Sequence, residues 1–167
     1  MPVFALLPTP LGTFTLAADE IGLCALLFPT EPLLEPAGPR LELTAHPLLR
    51  EAGQQLLAYL NRTRQDFDLP LSLQGTPFQR LVWQQLRTIP YGRTRTYGEL
   101  AAAIGDRHKA RAVGGAAHAN PLAIIIPCHR LIGADGSLTG FGGGLAMKQT
   151  LLELEGAPIG GMKKRPG

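Results

Sequence analysis

Cys128 and His129 stand side by side in Pro127-Cys128-His129-Arg130, directly after the apolar run Ile124-Ile125-Ile126. A thiol attacks as thiolate and needs a nearby base or positive field to ionise near neutral pH. His129 is the candidate base, and the apolar run predicts a buried strand whose end presents the nucleophile. A Cys-His neighbour pair alone carries little weight, so its surroundings decide its meaning. After the cysteine, the glycine-rich loop from Gly133 to Gly144 lets the backbone approach a ligand closely. A last helix is predicted from Leu145 to Glu155, ended by Gly156. Glu155 falls three and four residues after Leu152 and Leu151, at the end of the helix where negative charge is disfavoured. A carboxylate there either holds His129 in one tautomer, completing a Cys-His-acid arrangement, or is solvated at a frayed end. The spacing accommodates both.

The elements that must position these residues divide near residue 75. Before it, Phe4 to Leu7, Phe14 to Ala18 and Leu23 to Phe28 read as short strands separated by turns at Pro8 to Gly12 and Asp19 to Gly22, which predicts a small antiparallel sheet. A proline-rich loop, Pro29 to Pro39, follows. Leu49, Ala52, Leu56 and Leu60 then keep the spacing of one helix face, so this helix is expected to cover the sheet. Phe67, Leu69, Leu71 and Leu73 alternate, but Pro70 confines such a segment to an edge or an irregular strand. Cys24, between Leu23 and Ala25, is expected to be a core thiol.

The second half opens with two capping boxes. Thr76 with Gln79 starts a helix with Pro77 in its first turn and an apolar face of Phe78, Leu81, Val82 and Leu86, stopped at Ile89-Pro90. Thr96 with Glu99 starts the next, Tyr97 to Ile104, ended by Gly105. A further helix is predicted from about His108 to Ala119, with Asp106 as its candidate cap. Two short helices joined by a tight turn have the layout of a helix-turn-helix. The second contains Gly114-Gly115, each glycine costing about 1 kcal/mol relative to alanine. Ala110, Gly114 and Ala117 form a nearly smooth stripe with Arg111 beside it and Lys109 close by. Tight helix packing explains such a stripe. So does a DNA backbone and minor groove approaching it. The Arg, Asn or Gln side chains expected on a base-reading face are not there, which points to binding without sequence specificity.

Composition sets outer bounds. The 167 residues, 45% hydrophobic and 17% charged, suffice for one ordinary domain or two small ones with a buried core. No apolar stretch has membrane-spanning length, and Met1-Pro2-Val3-Phe4 lacks a charged region before an apolar one, so a soluble cytoplasmic protein is expected. Two cysteines are too few for a disulfide framework or a cysteine-rich zinc site. A net charge of +3 permits a polyanionic partner without requiring one.

From about Thr76 to Gly156 the chain resembles the O6-alkylguanine-DNA alkyltransferases, or methylated-DNA–protein-cysteine methyltransferases. The resemblance rests on Thr96-Tyr97-Gly98-Glu99-Leu100-Ala101, Arg111-Ala112-Val113-Gly114-Gly115-Ala116, Asn120-Pro121, Ile126-Pro127-Cys128-His129-Arg130, and Lys148 through Leu151-Leu152 to Glu155-Gly156, in one order. The N-terminal half resembles the family's variable domain only in size and pattern. The implied fold is α+β: an N-terminal antiparallel sheet with a helix (1–75), a mostly helical alkyltransferase domain with a DNA-binding helix-turn-helix (76–156), and a flexible tail (157–167).

The resemblance also implies roles. Cys128 is the acceptor thiolate, His129 the base acting through a water, and Glu155 the acid orienting it. Tyr97 donates a proton toward the departing guanine, and Asn120 braces the active-site turn. Arg111 fills the gap left by the flipped nucleotide, with Thr96, Lys109, Ala110, Gly114, Gly115 and Ala117 completing the DNA face. Pro127, Leu131, Phe141, Gly142 and Gly143 line the substrate pocket. The implied activity is stoichiometric, irreversible repair of O6-alkylguanine in double-stranded DNA by a monomer without cofactor; whether O4-alkylthymine is also a target stays open. Phe141-Gly142 replaces the tyrosine and serine many members carry, His118 replaces a common arginine, and with Cys24 alone in the N-terminal half no zinc site is expected. A non-catalytic lesion sensor and a helix-turn-helix regulator are the competing readings. The first usually lacks the cysteine, and the second needs base-reading side chains.

Overall fold

The computed structural model describes residues 2–31, 38–138 and 143–158, and the chain forms two compact units. One comprises Met1–Leu73 together with Pro121–Ala123, the other Gln74–Asn120 and Ile124–Gly167.

The first unit is a three-stranded antiparallel sheet, β1 (Val3–Thr9), β2 (Gly12–Ala18) and β3 (Leu23–Leu27), in that order. Strands β1 and β2 pair from Val3 opposite Ala18 to Thr9 opposite Gly12, leaving Pro10-Leu11 as a two-residue loop. Gly12 has φ +114°, and a side chain there would strike Pro29. Asp19 fixes the second turn by accepting from the backbone N–H groups of Ile21 and Gly22, at 2.8 and 3.1 Å. Helix α1 (Pro47–Leu60) buries Leu49, Ala52, Leu56 and Tyr59 and packs on the sheet. Cys24 is half-buried rather than in the core, because it alternates with inward-facing Leu23; burial raises its thiol pKa and keeps it protonated. The alternating segment at 67–73 makes one bridge, Leu71 with Leu23, since Pro70 has no N–H for a ladder. Pro121–Ala123 joins this unit through β3: Leu26 N–H donates to the Pro121 carbonyl and Ala123 N–H to that of Leu26.

In the second unit both capping boxes form. Thr76 and Gln79 cap α2 (Pro77–Leu86), and Thr96 and Glu99 cap α3 (Tyr97–Ala103). The buried face of α2 is Val82, Trp83 and Leu86; Leu81 points out and Phe78 is half-buried, with the Lys109 ammonium 5.5 Å from its ring centre. Trp83 takes Leu81's place because its indole N–H reaches the Ala116 carbonyl at 2.9 Å, tying α2 to α4 (Ala110–His118). Helix α3 ends in a Schellman turn, with Gly105 N–H donating to Ala102 and Asp106 N–H to Ala101. Asp106 then caps the short turn Arg107–Lys109 rather than α4 itself. Helices α3 and α4 pack together as a helix-turn-helix.

Two features have no local signature. The residues Arg95–Thr96 (β4) and Leu131–Ile132 (β5) pair in parallel, setting the start of α3 beside the chain leaving Cys128. The Ile124-Ile125-Ile126 run, expected as a strand, is instead a buried turn with Ile124 at φ +69°. A short apolar run signals burial without specifying a ladder, and a β-branched residue in the left-handed region is strained.

Candidate active site

The cysteine is held by its turn. Pro127, at φ −79° and ψ 65°, centres an inverse γ-turn in which Cys128 N–H donates to the Ile126 carbonyl at 2.7 Å. The Asn120 amide donates to the same carbonyl at 2.8 Å and lies 3.3 Å from Cys128 Sγ. One side chain therefore fixes the turn and places a donor on the sulfur, where it favours thiolate. Cys128 is half-buried and in no disulfide.

Behind it, Cys128–Arg130 forms a single 3₁₀ turn that buries His129 completely. His129 Nε2 meets Glu155 Oε2 at 2.7 Å, while Nδ1 finds no hydrogen-bond partner among the described residues. A carboxylate acceptor at Nε2 puts the proton there and leaves the Nδ1 lone pair available. Glu155 is the C-cap of α5 (Leu145–Leu154), and its carboxylate is turned inward, not solvated. It also accepts from Arg130 Nε and Nη2 at 2.8 and 2.9 Å and from Gly92 N–H at 3.2 Å. Burial works against ionisation, but the hydrogen bonds from His129 and Arg130 prevail and hold Glu155 far below the usual carboxylate range. Burial pushes the His129 imidazole below its ordinary value, partly opposed by Glu155.

Both shifts give stability that is lost with acid. Below the ordinary histidine value of 6.5, the unfolded chain binds a proton at His129 that the folded one resists; below the ordinary 4.5 of glutamate, the same holds at Glu155. Urea unfolding is expected to show stability falling from pH 7 to 5 and more steeply from 5 to 3. Glu155→Gln should flatten the lower part of that curve.

Tyr97 opens α3 and is half-buried. Its ring lies against Gly114, where an added Cβ would sit 3.5 Å away, and the Lys148 ammonium stands 6.0 Å from its centre. Lys148 is wholly buried in α5; burial lowers it to about 8, and the field of Cys128 acts in the opposite direction. A cation whose field couples to the sulfur favours the thiolate. Lys148 served only as a motif letter in the sequence, yet it shares a face with Leu151, Leu152 and Glu155 at spacings of three, four and seven. A lysine in an apolar stripe is a readable sign of burial.

The stripe expected to meet DNA is only partly exposed. Ala117 is buried, Ala110 is half-buried, and Gly114 is occupied by Tyr97, because Trp83 and Tyr97 fix the rotation of α4. The open face carries Arg111, Ala112, Gly115 and His118. A Cβ at Gly115 would meet no protein atom within 4 Å. Lys109 is exposed, and the Thr96 hydroxyl is engaged in its cap. Of the expected pocket residues, Pro127 and Gly143 are buried and Leu131 lies wholly in the core as part of β5. Phe141 and Gly142 lie outside the described residues. No group of three or more His, Cys, Asp or Glu side chains suited to a metal occurs among the described residues, and no described helix is long and apolar enough to cross a membrane.

Residues 77–157 match the 6-O-methylguanine DNA methyltransferase DNA-binding domain, and residues 3–73 the ribonuclease-like domain of the same family. The chain is 46% identical over 154 residues to a methylated-DNA–protein-cysteine methyltransferase of Methanosarcina acetivorans, covering 92% of this chain and 98% of that one. It is 49% identical over 148 residues, 88% of each, to the protein of that name in Mycolicibacterium paratuberculosis. The crystal structure of Mycobacterium tuberculosis O6-methylguanine methyltransferase aligns with a TM-score of 0.83 at 45% identity, covering 93% of both chains. Mycobacterium tuberculosis OGT in complex with DNA aligns equally well, at 43% identity over 93% of this chain and 95% of that one.

Proposed function

The chain belongs to the 6-O-methylguanine DNA methyltransferase family, and on that premise we propose that it repairs DNA by moving the alkyl group from O6 of guanine to Cys128, once per molecule. The observation that carries this is a half-buried thiol with the Asn120 amide 3.3 Å from its sulfur, in the turn whose next residue, His129, is buried against Glu155. Cys128 Sγ attacks the alkyl carbon on the side opposite O6. The S–C bond forms as the C–O6 bond breaks, and its electron pair stays on guanine. His129 takes the thiol proton through a water, and the Tyr97 hydroxyl supplies the proton the guanine ring gains. The thioether has no leaving group that would regenerate thiolate, so the protein is consumed.

The target atom lies inside the duplex, so the nucleotide must first be extruded. The open face of α4 is where the minor groove rests, with Arg111 entering the gap. Binding there is governed by phosphate charge and not by base edges, and the protein works as a monomer in the cytoplasm. Intact-mass analysis after incubation with an O6-methylguanine duplex is expected to show one added methyl, located on Cys128. An unchanged mass, or a methyl on another residue, would refute the proposal.

The α4 face has its own test. Gly115→Ala should raise helix stability by about 1 kcal/mol, since the new methyl meets no protein atom. The same methyl should weaken duplex binding, measured by fluorescence anisotropy. A stabilised variant with unchanged affinity would place the DNA elsewhere.

A further inference from the structure

The proposed mechanism uses Cys128, His129, Glu155, Tyr97 and Asn120, and leaves unused the best-connected cation of the site. Arg130 is buried, and its guanidinium is fully engaged: Nε and Nη2 fork onto the two oxygens of Glu155 at 2.8 and 2.9 Å, and Nη1 donates to the Ile89 carbonyl at 2.7 Å. One face lies 5.8 Å from the centre of the Tyr91 ring, whose hydroxyl reaches the Leu154 carbonyl at 3.4 Å. A forked guanidinium fixes a carboxylate in orientation as well as in charge, which lysine cannot reproduce.

The consequence is one of charge balance in a buried cluster. Glu155 carries one negative charge and Arg130 one positive, so the pair is neutral with His129 neutral beside it. Without Arg130, the buried carboxylate has His129 as its immediate ionisable partner, and the imidazole neutralises it only by binding a second proton. An imidazolium has N–H on both nitrogens, so Nδ1 then has no lone pair with which to accept a proton from the thiol. We infer that Arg130 is a positioning residue for alkyl transfer: it takes up the charge of Glu155 and so reserves the neutral, Nε2-protonated form of His129 for Cys128. Beyond Glu155 and Arg130, the charged group acting on His129 is Lys148, from α5, in the same direction as Arg130.

The inference rests on the alkyl-transfer reading for its kinetic consequence, but its primary test does not need DNA. Nitrogen-15 shifts of the His129 ring should show the neutral Nε2–H tautomer at pH 7 in the unaltered protein. In Arg130→Gln the ring should titrate at least about one pH unit higher, while Arg130→Lys, which keeps the charge, should stay closer to the parent. Single-turnover transfer from an O6-methylguanine duplex should follow. The acid limb of its rate profile moves up by a similar amount in Arg130→Gln, giving about a tenfold loss on the acid side that narrows at higher pH. A rate lowered equally at every pH, an acid limb that stays or moves down, or an unchanged ring titration would mean that Arg130 is only structural. If Arg130→Gln does not fold, the unaltered protein decides: imidazolium at pH 7 overturns the inference and the neutral tautomer supports it. Absence of methyl transfer by the unaltered protein, with the expected ring titrations, would overturn the alkyl-transfer reading and leave the charge role of Arg130 standing.

Discussion

Replacing Cys128 with alanine is expected to remove alkyl transfer completely while leaving the fold and duplex binding nearly intact. The loss is total because the sulfur is the acceptor atom: His129 and Lys148 are fully buried, and Cys24 belongs to the other unit, where burial keeps its thiol protonated. The fold survives because Asn120 keeps its bond to the Ile126 carbonyl and loses only the weaker contact to sulfur, at a cost below about 1 kcal/mol. Cys128→Ser should be nearly as inert, since a hydroxyl is not ionised near neutral pH and is a poor nucleophile toward an alkyl carbon. Intact mass before and after exposure to O6-methylguanine duplex reads the chemistry, and anisotropy with the same duplex reads the binding. Methyl uptake by the alanine variant would show that another residue is the nucleophile.

Glu155→Ala should produce the largest combined effect on stability and transfer. The carboxylate accepts from His129, Arg130 and Gly92 in a buried setting, so its removal leaves a buried guanidinium without its counter-charge and frees the His129 ring. Stripping one partner from a buried pair costs about 3 to 5 kcal/mol. Loss of an oriented base costs about a hundredfold or more in rate. The two losses can be separated. Combining Glu155→Leu with Arg130→Met removes both charges at once and should recover most of the stability, measured by urea unfolding, without restoring transfer. Transfer by the double variant at the parental rate would show that the His129–Glu155 pair is scaffold alone.

What could be read from the chain follows how far each interaction reaches along it. The capping boxes at Thr76 and Thr96 join residues three apart, and the Pro10-Leu11 hairpin joins adjacent strands, so both are present in the sequence and in the fold. Glu155 showed itself by standing on an apolar face at the wrong end of a helix dipole, a local anomaly. Spacing left open whether it was paired or solvated, and the fold resolved this because Arg130, Gly92 and His129 converge on it from distant positions. Lys148 gave a comparable signal, a charge within the Leu151-Leu152 stripe, that goes unused until Tyr97 is seen beside it.

What was not legible shares one cause. Burial was legible at Ile124-Ile125-Ile126, but the choice of turn over strand came from the bonds Asn120 makes to this turn and Leu26 makes to the segment just before it. On α4 the small residues were visible, but which of them face outward depends on rotation about the helix axis, set by Trp83 at Ala116 and Tyr97 at Gly114. By itself the sequence determined the nucleophile, its neighbouring base, the capped helices and the family, because residue type and short spacing encode these. Only the tertiary structure decided which nitrogen of His129 stays open, what neutralises Glu155, and which face of α4 is free. Hydrogen-bond direction, charge pairing and helix rotation are properties of groups that meet across the fold.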